Sequence, residues 1–288
     1  MLSHFQFSPV IIIWTLTFAA LLVLLVVILG RDRAKLYPLF TFSVGVVAFR
    51  LLVTRILYGK LSALALTWLF TALALLAALA GILVAVEMAR RAFSSASSRT
   101  RTIGTVLALA VAAAVLVYWG PWPSWQTITA SGATAHLRLT QLIAQRGDML
   151  ASLLAIEVGI LALLFGRRYS AGLRSHTFQI IVGLFVAAIS QLSVRAIWQF
   201  TATKAVIHTQ ADYEKIIAFQ GKLNNANNIV YIVVLIWWIV CLWNDEPTSA
   251  LASITDSITP AIAGELKAAP ATVEVEGKEE SGDQSPSS

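Results

Sequence analysis

The chain has 288 residues, of which 58% are hydrophobic and 12% charged, and its mean hydropathy is +0.76. About a quarter of the residues in soluble domains are charged, so a water-soluble globule is excluded. The net charge of +6 hides an asymmetry: residues 1–243 hold 19 basic and 6 acidic groups, whereas residues 244–288 hold 2 and 9.

A hydrocarbon core of roughly 30 Å needs about 20 apolar residues per helix. In chain order the candidate spans are 9–29, 36–58, 62–88, 103–119, 148–166, 177–199 and 228–243. An open sheet would leave edge groups unsatisfied in lipid, and the alternating period of a barrel is absent. The predicted fold is therefore all-α and integral to a membrane: a seven-transmembrane-helix bundle. The first stretch reads as a retained helix and not as a signal peptide. No Lys or Arg precedes it, and Arg31, Arg33 and Lys35 follow it.

The loop after the third stretch carries Arg90, Arg91, Arg99 and Arg101, and the loop after the fifth carries Arg167, Arg168 and Arg174. The alternate loops are poorer in basic residues, with Lys60, then Arg138 and Arg146, then Lys204, Lys215 and Lys222. The excess of basic residues on one side places those loops in the cytoplasm, which predicts an outside N-terminus and a cytoplasmic C-terminus in a plasma (inner) membrane. Topology accounts for the basic excess, so no nucleic-acid partner is implied.

Two outer segments are predicted to be more than turns. Tyr118, Trp119, Trp122 and Trp125, with Pro121 and Pro123, read as an aromatic belt at headgroup depth, and helical spacing from Thr134 onward predicts that the fifth helix begins outside the bilayer. Tyr213, Ile216, Ile217 and Gln220 predict a short amphipathic surface helix. Asn224, Asn225, Asn227 and Asn228 then read as caps for the last span. From 244 to 288 the composition turns to Ala, Ser, Thr, Pro and Glu, which predicts a disordered acidic cytoplasmic tail without a catalytic output domain.

An internal repeat is also suggested. Gly30-Arg31 and Thr41-Phe42 are separated by nine residues, as are Gly166-Arg167 and Thr177-Phe178. Arg55 with Tyr58 is echoed by Arg195 with Trp198. Helices 1–3 and 5–7 would then be parallel repeats joined by the fourth, a 3+1+3 plan.

Ionisable groups inside a bilayer cost a few kcal/mol each and mark functional sites by default. Counted from the predicted helix ends, Arg50 and Glu157 lie at the same depth with opposite charge, which predicts a pair. That pair would be either a packing clamp or the centre of a binding or proton site. With Gln191, Arg195 and Tyr231 it would line a small cavity open to the outside, suited to an anionic ligand or lipid headgroup, while the inner half of the bundle reads as aliphatic.

The last span has no lysine for retinal, the motifs His-Glu-x-x-His and Gly-x-Ser-x-Gly are absent, and the four histidines are scattered. No enzyme, metal site or cofactor is predicted, and Cys241 reads as a packing residue. The basic loop followed by Pro38 and a second apolar helix resembles bacterial seven-helix sensor input modules. In topology the chain is also similar to sugar facilitators, whose Pro-Gln motif it lacks. Neither resemblance assigns a residue role. The leading expectation is a non-enzymatic sensory or partner-regulating module that signals to a cytoplasmic or membrane protein partner. The alternatives are a small-solute or proton-coupled transporter and a structural membrane subunit.

Overall fold

A computed structural model describes residues 9–57, 59–94, 98–119, 132–165, 175–204 and 209–245. Eight helices and no strand occur among them. They are α1 (Pro9–Gly30), α2 (Arg33–Leu36), α3 (Pro38–Leu57), α4 (Ala63–Ala92), α5 (Ser98–Tyr118), α6 (Ala133–Phe165), α7 (His176–Lys204) and α8 (Gln210–Trp243). Six of these (α1, α3, α4, α6, α7 and α8) are long and apolar enough to cross a membrane. The chain is a multi-pass helical membrane protein. The predicted tail beyond Asp245, the Trp122–Trp125 belt and the loop bearing Arg167, Arg168 and Arg174 lie outside the described residues.

Local sequence explains the boundaries. Pro38 opens α3, where its missing N–H costs nothing. Between α1 and α2 the chain turns through Asp32 in the left-handed region, φ 54°, a conformation that aspartate tolerates better than most residues. Ser62 caps α4 by accepting from the Ala65 N–H. Thr209 and Asp212 form a reciprocal capping box that starts α8.

That capping box corrects two expectations. The 213–220 segment is not a separate surface helix but the first turns of α8, and Asn224 to Asn228 lie inside that helix without capping it. Thirty-four residues make α8 about 51 Å long, well beyond a bilayer core. The helix expected from Thr134 onward is continuous with the fifth predicted span in the 33-residue α6.

The long helices form a ring in which α1 touches α3, α3 touches α4, α4 touches α6, α6 touches α7, α7 touches α8, and α8 returns to α1. Helix α5 stands outside this ring against α6. Leu24, Ile28, Phe40, Met88, Ile181 and Leu235 form the centre of the main core. Lipid tails are as apolar as these side chains, so close packing and interhelical hydrogen bonds hold the ring together more than hydrophobic transfer does.

Glycine sets the closest approaches. A Cβ on Gly81 would lie 3.1 Å from that of Ala151, and one on Gly147 would lie 3.2 Å from that of Ala78. Residue numbers rise together across these contacts, so α4 and α6 run parallel, with residues near 81 level with residues near 151. Gly159 against Phe185 together with Asp148 against Gln191, and Gly183 against Trp238 together with Ser190 against Asn227, show that α6 and α7, and α7 and α8, run antiparallel. Arg31, just past α1, lies 5.0 Å from the Trp243 ring at the end of α8, so those two helices are parallel.

Candidate functional site

Polar side chains collect at the two ends of the ring. At one end, where α6 and α7 pass the predicted outer boundary, Asp148 is the focus. One of its oxygens, Oδ2, accepts from Gln191 Nε2 at 2.6 Å and from an Arg195 guanidinium nitrogen. Arg195 also donates to the Gln145 carbonyl at 3.2 Å. Gln191 and Arg195 are four residues apart, so they share one face of α7 and reach the same carboxylate. The Asp148 side chain is 39% exposed and that of Arg195 27%, so both groups of the pair are partly open to the surface. On the next interface Ser190 Oγ donates to Asn227 Oδ1 at 2.8 Å, tying α7 to α8. The Trp119 indole N–H donates to Gln199 at 2.8 Å, and a shallow depression beside them is lined by Ala196, Phe200 and Thr203.

At the other end Glu87 of α4 is 8% exposed. Its Oε2 accepts from the backbone N–H of Phe40 at 3.0 Å and its Oε1 from Arg91 at 3.3 Å. The carboxylate thus satisfies an orphan donor in the first turn of α3, where the helix dipole also favours negative charge. The Arg91 guanidinium lies over the Tyr37 ring at 4.9 Å, and the Tyr37 and Thr177 hydroxyls share a hydrogen bond of 3.1 Å. Through these contacts α3, α4 and α7 are joined at the basic end. The inner half was expected to be aliphatic, so this network is a correction.

The five predicted site residues do not form one cavity. Gln191 and Arg195 come together, but on Asp148. Arg50 is exposed on α3, and its side chain has no polar partner among the described residues. Glu157 is half-buried on α6, with Oε2 shielded and unbonded, and α3 and α6 are not neighbours in the ring. Their depths also differ. The α4–α6 register sets Glu157 level with Glu87, which is bonded to Phe40, and Arg50 lies ten residues (about 15 Å) outward from Phe40. The expected Arg50–Glu157 pair is therefore not formed. Tyr231 lies one turn inward from Asn227 and packs on the main core. Arg55 lies over the Trp14 ring at 5.8 Å.

Sequence reasoning used Asp148 only as a boundary marker and passed over Glu87. The available signal was the presence of acidic residues in long apolar helices, with Arg91 one turn from Glu87. No group of three or more potential metal ligands occurs among the described residues. No protein-family model, curated protein or solved structure matches the chain.

Proposed function

We propose that the chain is a non-enzymatic sensory or partner-regulating module of a plasma (inner) membrane, with seven crossings and its N-terminus outside. The observation that carries this reading is the exposed Asp148 carboxylate holding Gln191 and Arg195 across the α6–α7 interface. A small anionic ligand, or a lipid headgroup, arriving from outside competes with Asp148 for Arg195 and loosens α7 from α6. Helix α7 also carries Thr177, so its displacement reaches the Tyr37–Glu87–Arg91 network at the basic end. A partner there reads the change.

The seventh crossing is supported by the parallel course of α4 and α6. Between two parallel helices the chain must return across the membrane, and α5 is the helix available. Its apolar part, Gly104–Tyr118, is short for a span, but the whole helix has 21 residues, about 31 Å.

A transporter is the second reading, and the ring favours it in one respect. Within each triple the neighbours are antiparallel, and the two junctions between triples, α4 with α6 and α8 with α1, are both parallel. A 3+1+3 parallel repeat with α5 as the connector has this pattern.

The test is thermal unfolding of the purified full chain in mild detergent against a panel of small carboxylates and phosphates. A ligand should stabilise the protein by RT ln(1 + [L]/Kd), and Arg195→Gln should remove that shift. No stabilising compound, or stabilisation unaffected by Arg195→Gln, counts against the site. Accumulation of the ligand in proteoliposomes, lost in Glu157→Gln with the fold intact, would favour transport over sensing.

A further inference from the structure

At the basic end two arginines converge on one oxygen. Helix α1 stops at Gly30, and the left-handed turn at Asp32 brings Arg33 back beside Arg31. Asp245 Oδ1 lies 3.5 Å from an Arg31 nitrogen and 3.2 Å from an Arg33 nitrogen. Arg33 is only 15% exposed, and its Nε is shielded and unbonded, whereas the Asp245 side chain is 77% exposed. The two guanidinium groups are thus held in place while the anion between them faces solvent. One carboxylate balances only one of the two positive charges.

The surroundings match a lipid. Arg31 stacks on Trp243, and tryptophan favours headgroup depth. Leu29 on α1 and Val240 on α8 are apolar and exposed, 61% and 53%. A headgroup phosphate offers several anionic oxygens to two guanidinium forks, which a single carboxylate oxygen cannot match. Among the described residues, other cations at this end lack the arrangement: Lys35, for example, pairs with Asp32.

We propose that Arg31 and Arg33 form a binding site for the phosphate of an anionic membrane lipid, with Asp245 as a tethered competitor. The lipid's acyl chains lie along the exposed α1–α8 surface, and its phosphate replaces the Asp245 carboxylate. An exposed ion pair is weak enough to be displaced, and a lipid arrives at the high local concentration of the bilayer. The site does not depend on the Asp148 cluster.

Native mass spectrometry of the full chain, with phosphatidylglycerol or phosphatidylcholine added to mild detergent, tests this directly. Phosphatidylglycerol should be retained in preference to phosphatidylcholine. R31Q/R33Q should reduce its retention about tenfold, and R90Q should leave it unchanged. Asp245→Asn keeps both arginines and removes the competitor, so it should raise retention about threefold even if the double variant folds poorly; both estimates follow the fold-change expected of one or two exposed charge contacts. Equal retention of the two lipids, or retention indifferent to both R31Q/R33Q and D245N, overturns the proposal. Displacement of the lipid by millimolar inorganic phosphate overturns it in favour of a free-phosphate site.

Discussion

Glu87 is the residue on which the basic end of the ring turns. Its carboxylate serves the α3 N-terminus and Arg91 at once, in a place almost closed to solvent. Glu87→Ala leaves the Phe40 N–H without its acceptor and Arg91 without its counter-charge. An unsatisfied buried group costs about 1–3 kcal/mol, so thermal unfolding in detergent should show a loss of that order. Glu87→Gln keeps an acceptor and should lose less, and Glu214→Ala, at an exposed site on α8, should change little. If Glu87→Ala proves as stable as Glu214→Ala, the clamp is not a structural determinant. This residue was hard to find in the sequence because Glu87 and Arg91 at i,i+4 look like any solvated helix-end pair. Only the fold brings Phe40 to them. Gln191 and Arg195 were legible because two polar groups one turn apart stand out on an apolar helix. Their partner Asp148 looked like the end of a span.

At the scale of elements, glycines decide how closely helices approach. A Cβ on Gly183 would lie 2.2 Å from Trp238 Nε1 and within 3 Å of two ring carbons. Trp238 is 3% exposed and held edge-on to Phe40 at a centroid distance of 5.0 Å, so it has little room to yield. Gly183→Ala should cost about 1–3 kcal/mol by overpacking. Gly81→Ala meets the Ala151 Cβ at 3.1 Å, a milder contact that a small shift of α4 from α6 relieves, and should cost less. Gly30→Ala meets nothing within 4 Å and serves as the control. A ranking of melting temperatures other than Gly183→Ala lowest and Gly30→Ala highest would contradict this account. The spans themselves were visible in the sequence because runs of about 20 apolar residues carry their own signal. Their extensions were not. The outer turns of α6 and α8 are polar enough to read as loops or surface helices, and their continuity with the spans depends on caps such as Thr209 and Asp212 far upstream.

At the scale of the whole molecule, direction is the decisive property. Two pairs of helices separated by other elements, α4 with α6 and α1 with α8, run parallel, and that constrains how often the chain crosses. If α5 returns across the bilayer, Lys60 before α4 and Arg138 in the first half of α6 share a side. Opposite sides would require α5 on the surface and α4 antiparallel to α6, against the course the glycine contacts give. The orientation we propose from the distribution of basic residues has that shared side outside. Cys241 is the chain's single cysteine and is buried, so a Cys241→Ala background allows one exposed cysteine to be added at a time. Cysteines at Lys60, Arg138 and Lys204 should react with a membrane-impermeant maleimide on intact cells. Those at Lys35 and Arg90 should react only after permeabilisation. Lys60 and Arg138 on opposite sides would remove the α5 crossing and with it the 3+1+3 plan. A complete inversion of the pattern would keep the seven crossings and the parallel pairs but turn the Asp148 cluster toward the cytoplasm. Its ligand would then have to be an intracellular one.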